Sequence, residues 1–235
     1  MTPGLSEVLS RQPAPPVLLV VGALVAGALV VAAPRGRAWR RVRILVTIVH
    51  EGGHALVGVL FGRRLTAIRL GHDAGGVTET WGRARGVGVT LMTFAGYPFP
   101  ALVAAALLLA AFAGWSRTAA AAIAVVLLVL LVFARNGRGV VVLGLASAAL
   151  AAAALWLPDL PLVGVVAALS GVWLTGAGRS LLEERHARRR GAATDVSALA
   201  RRGAVPPLLW WLVMWVPIGW AGWVVASQIL TRVRG

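Results

Sequence analysis

The stretch "TIVHEGGHALVG", Thr47 to Gly58, places His50, Glu51 and His54 inside an otherwise apolar run. On an α-helix, residues four apart share a face, so the imidazoles of His50 and His54 can reach one metal ion. Glu51 between them can reach a water molecule beside that ion. Zn2+ is the expected ion. It lowers the pKa of water towards 7, and a neighbouring carboxylate then takes the proton and later delivers it to a leaving amine. Ionisable groups are expensive inside a membrane helix and are functional there by default. The competing role for the same cluster is helix packing or proton transfer. Gly52 and Gly53 each cost about 1 kcal/mol of helix propensity relative to Ala. They leave a bare groove for a substrate backbone, or they allow close helix packing, as Gly58-x-x-x-Gly62 also suggests.

A catalytic zinc usually takes three protein ligands. The chain has no cysteine and only four histidines, so His, Asp, Glu or water must supply the third. His72 lies beside Asp73 at a predicted hairpin, His186 in a basic stretch, and Asp195 just before the last hydrophobic region. Thr194 is a plausible N-cap for a short apolar helix over 196–200, and Asp195 could itself serve as the cap. Asp159, between Pro158 and Pro161, reads as a solvated turn residue. Glu183 and Glu184, flanked by arginines, read as a solvated helix end. On spacing alone the third ligand stays open between Asp195, His186 and His72.

The elements that must hold these residues are membrane helices. Of 235 residues, 59% are hydrophobic and 13% charged, too apolar for a soluble domain. Apolar runs fall at about 16–33, 42–62, 87–113, 118–134, 139–157, 160–178 and 206–229. Roughly 20 helical residues span a bilayer, so an all-α polytopic membrane protein with about 6–7 transmembrane helices is expected. It reads as one domain over 1–235, with a core of about 42–229 preceded by a helix and a basic linker. The first run carries its basic cluster after it, which fits a retained helix rather than a cleaved signal peptide. The segment 63–85 combines β-formers with Gly75-Gly76, which predicts a small membrane-associated β-hairpin after the HExxH helix.

The net charge is +15, and every basic residue is arginine. The arginines cluster at the ends of apolar runs, which argues for orientation against an anionic inner leaflet and against nucleic-acid binding. Two arginine-rich segments, 34–43 and 179–205, both ask to be inside. That is possible only if something between them fails to cross fully, and the second run with the 63–85 hairpin is the expected re-entrant excursion. His50 then lies about 10 Å of helix past Arg43, just below the cytoplasmic surface.

These residues resemble a known family. An HExxH span, a glycine-bearing hairpin, "AGYPFPALVAAALLL" with Ala95-Gly96-Tyr97, and a late Thr194-Asp195 look like the site-2 proteases, the M50 intramembrane metalloproteases, and most like their M50B-like branch. The resemblance covers about residues 45–215. It implies His50, His54 and Asp195 as zinc ligands and Glu51 as catalytic base. It also implies hydrolysis of a peptide bond in or near a transmembrane segment of a membrane protein substrate, such as a single-span regulator, at a bacterial-type inner membrane. "ATDVSALA" departs from the Asp-Gly motif of better-known members and leaves the oxyanion-stabilising residue unassigned, with His186 and Asn136 as candidates. Two other classes compete. One is a transporter or channel using His50, Glu51 and His54 as a metal or proton relay. The other is a catalytically silent member that binds a partner through the tryptophan-rich end, where Trp210, Trp211, Trp215, Trp220 and Trp223 otherwise read as interfacial anchors.

Overall fold

The computed structural model describes residues 5–33 and 36–234. In order, the elements are α1 (Leu5–Val8), α2 (Val17–Ala32), α3 (Arg37–Leu60), β1 (Arg64–Leu70), β2 (Gly76–Trp81), α4 (Val87–Ala95), α5 (Phe99–Phe112), α6 (Ser116–Val132), α7 (Gly137–Trp156), α8 (Asp159–Arg189), α9 (Asp195–Ala200) and α10 (Pro207–Arg234). Four of them, α3, α7, α8 and α10, are long and apolar enough to cross a membrane. The run 87–113, expected as one span, is two helices bent by 67° at a short break, and together they make a fifth candidate. Helices α2 and α6 are apolar but shorter, at 16 and 17 residues. Outward-facing Leu18, Val125, Val129, Leu145 and Trp156 are exposed, a surface suited to lipid rather than water.

The packing follows from small residues. A Cβ on Gly27 would collide with the backbone of Ala168, and one on Gly171 with the backbone of Leu24 and Ala28, so α2 and α8 lie backbone to backbone. They run parallel. At one end Gln12, just before α2, donates to Asp159 at 2.7 Å, and at the other Arg179 bonds the Val31 carbonyl. These define an Asp159 end and a Glu183 end of the bundle. Asp159 is exposed, as expected of a solvated residue, but it is also a tether between helices. It also pairs with Arg117 at 2.8 Å, and Arg117 bonds the carbonyls of Ala154 and Leu157. The near ends of α6, α7 and α8 therefore meet there.

The chain leaves the Glu183 end as α3, whose Trp39 donates to Glu183 at 2.7 Å. The β-hairpin that follows is antiparallel, pairing Arg64 with Trp81 through Leu70 with Gly76, with a bulge between Leu65 and Ala67. Its turn is Gly71–Gly75 rather than Gly75-Gly76, and the residue with positive φ is Ala74, at 60°. On its other side β1 bonds the α6–α7 junction: Ile68 N–H donates to Phe133 O at 2.8 Å and Arg135 N–H to Ile68 O at 3.1 Å. That junction lies at the far ends of α6 and α7 from Asp159. The hairpin thus lies towards the Glu183 end, the end at which α3 begins. Among the described arginines, only Arg11, Arg117, Arg232 and Arg234 lie at the Asp159 end; Arg232 is placed there by its contact with Phe112 at the end of α5.

Candidate active site

Helix α3 presents His50 and His54 on one face, as their spacing requires, and α9 brings Asp195 to them. His50 Nε2 lies 3.1 Å from Asp195 Oδ2, His54 Nε2 lies 3.3 Å from it, and the two Nε2 atoms are 3.1 Å apart. His72 and His186 are elsewhere. His72 is exposed beside Arg138, and His186 lines the outer cleft with Nδ1 at 3.0 Å from Leu182 O.

The donor set fits a tetrahedral metal. Three lone-pair donors at these separations repel one another unless a cation or proton lies between them. Ligand atoms around tetrahedral zinc, at bond lengths near 2.0–2.1 Å, stand about 3.3 Å apart. His54 Nδ1 is 2.6 Å from Met92 O, so that nitrogen carries the proton and Nε2 keeps its lone pair for a metal.

Each donor is held from outside. Gly96, at the α4–α5 break, lies against both rings, and Gly53 lies against Phe99 of α5. The Gly53 contact favours packing over a substrate groove, and Gly52 meets only Leu130 Cδ1 at an ordinary 3.5 Å. Helix α9 has just six residues, yet Val196 and Leu199 are fully buried in the core with Leu181 and Met214. Such burial contributes about 1.5–3 kcal/mol per side chain. Thr194 caps α9 in a capping box with Ser197, and its hydroxyl donates to Glu184 Oε1 at 2.8 Å. Glu184 is therefore not a solvated residue as expected. It is 2% exposed and anchors the residue next to Asp195. Sequence patterning hides this because arginines surround it, whereas its i,i+4 spacing to Arg188 (3.4 Å) was a readable hint.

Glu51, 4% exposed, points into the same cleft, where its carboxylate accepts from Thr78 Oγ1 of β2 at 2.6 Å. A Cβ on Gly76 would collide with that carboxylate, so β2 can lie on Glu51 only with glycine there. The cleft, of about 720 Å³, is also lined by Thr47, Tyr97, Glu183 and Arg201. Asn136, an oxyanion candidate from sequence, is committed elsewhere. It caps α7, and its amide bonds both the N–H and the C=O of Leu70.

A helical membrane bundle in which an HExxH helix is completed by a carboxylate from a separate, capped helix has the architecture of an integral membrane metallopeptidase. The chain matches the Peptidase M50B-like family over residues 20–225 and belongs to that family. No curated protein and no solved structure gives a significant match.

Proposed function

We propose that the protein is a zinc-dependent intramembrane endopeptidase of the site-2 protease type, cleaving a peptide bond in or near a transmembrane segment of a membrane protein. The observation that carries this is the convergence of His50, His54 and Asp195 at zinc-ligand separations beside a buried Glu51. Zinc held by these three residues would supply Lewis-acid polarisation of the scissile carbonyl and acidification of water. Glu51 takes the proton of the attacking water and hands it to the departing amide nitrogen. Thr78 fixes one carboxylate oxygen and leaves the other for that transfer.

The substrate segment must be extended to expose its carbonyl. Strand β2 offers the edge for it, since β1 occupies its one partnered side and residues 75–78 face the cleft. The excess of arginine at the Glu183 end supports a cytoplasmic location for that end, six crossings plus the α3–hairpin–α4 excursion, and a site near the cytoplasmic face of a bacterial-type inner membrane. A single-span regulator fits such a site.

The test uses the purified chain in liposomes with a panel of single-span transmembrane peptides, analysed by mass spectrometry. Wild type is expected to bind about one zinc and to cut at least one peptide. Glu51→Gln is expected to keep the zinc and lose cleavage. Asp195→Ala is expected to lose zinc affinity, and His186→Ala to retain it. Cleavage that persists in Glu51→Gln, or zinc affinity that persists in Asp195→Ala, refutes the assignment.

A further inference from the structure

Resting on the peptidase reading, one role remains open. When water adds to a peptide carbonyl, the new C–O bond pushes the carbonyl π pair onto oxygen, and that oxyanion needs a hydrogen-bond donor fixed beside the metal ligands. Most cleft hydroxyls have committed their hydrogens. Thr47 donates to Ala74 O, Thr78 to Glu51, Thr93 to Val89 O and Thr194 to Glu184. Arg43 faces Glu183 at 3.7 Å, and Asn136 is bound to Leu70.

Tyr97 is different. It is the single tyrosine of the chain. Its ring stands edge-on to the His50 imidazole, with centroids 4.7 Å apart and planes at 83°. It lines the cleft, half-buried, and its hydroxyl makes no hydrogen bond among the described residues. Its position is set by its neighbours: Gly96 packs on both ligand rings, and Phe99 packs on Gly53 between them. Ser180, also without a hydrogen-bond partner among the described residues, is carried by α8, whereas Tyr97 is packed directly on a ligand ring.

We infer that the Tyr97 hydroxyl is the oxyanion donor of this site. Tyr97 donates a hydrogen bond and keeps its proton throughout. The proton released by water goes to Glu51 and from there to the nitrogen as the C–N bond breaks. A neutral phenol suits the position, because it adds a donor without adding a charge to a half-buried site.

The test compares zinc-loaded wild type and Tyr97→Phe in detergent with two probes. A phosphinic pseudopeptide presents a tetrahedral anion like the oxyanion, and benzyl mercaptan ligates zinc through sulfur alone. The phosphinate Kd is expected to rise about 100-fold in Tyr97→Phe, with the mercaptan Kd and zinc content unchanged. On a transmembrane peptide that wild type cuts, kcat is expected to fall by a similar factor at unchanged KM. Equal phosphinate affinity in the two proteins overturns the assignment. Parallel weakening of both probes does so too, since it would make Tyr97 a support for the ligands. The two readings fail separately: a wild type that cuts no peptide yet shows the phosphinate difference refutes the peptidase, not the donor.

Discussion

Gly96→Ala isolates one contact of the site. A Cβ built there would lie 2.5 Å from His54 Nε2 and 2.6 Å from both Cε1 and Nε2 of His50. Normal non-bonded contact is about 3.5 Å, so the overlap is about 1 Å and falls on the ligand rings themselves. The backbone raises no objection, because Gly96 is already helical at φ −50°, ψ −63° and alanine is the better helix former. The rings have little room to yield: His54 is tied to Met92 O, and His50 abuts Tyr97. Overpacking of this kind costs about 1–3 kcal/mol. If that cost falls on the metal-bound geometry, zinc binding weakens about 5- to 150-fold. The assay is competition with a chromophoric zinc chelator in detergent, paired with the unfolding temperature of the zinc-free protein, which should hold. Gly52→Ala is the matched control inside the motif. Its nearest neighbour is Leu130 Cδ1 at 3.5 Å, and its zinc affinity should equal wild type. Wild-type zinc affinity in Gly96→Ala would refute the claim that the α4–α5 break is packed on the ligand rings.

Two further substitutions separate positioning from folding. Glu184→Ala removes the acceptor that holds Thr194, and zinc affinity should fall about 10- to 100-fold; Glu184→Gln, whose amide oxygen accepts the same bond, should restore most of it in the same chelator assay. Asn136→Ala breaks the α7 cap and the tie to β1 and should lower stability by about 1–3 kcal/mol in thermal unfolding, with zinc affinity unchanged.

Much of the architecture was legible because the apolar runs leave few alternatives. Each became helix, and the glycine-bearing polar stretch between the second and third runs became a hairpin. Helix ends were less legible. Helix α3 begins at Arg37 rather than near 42, and α8 continues to Arg189, because arginine is a good helix former and a hydropathy pattern stops where charge begins. The bend between Ala95 and Phe99 does not show in hydropathy, because Gly96 and Pro98 sit in a continuous apolar run, yet Pro98 has no N–H to continue α4; the ligand rings explain why residue 96 is glycine.

The sequence by itself determined the chemistry available. Histidines four residues apart must share a helix face, a glutamate between them must sit near whatever they bind, and a chain without cysteine must find its remaining ligand among very few side chains. Tertiary structure decided which of those side chains completes the cluster. Asp195 reaches the imidazoles because Val196 and Leu199 bury α9 in the core and Glu184 holds its cap, and these contacts join residues more than a hundred positions from the HExxH helix. Spacing along a chain specifies geometry only within a helix or strand; between elements, the packing of the whole bundle specifies it.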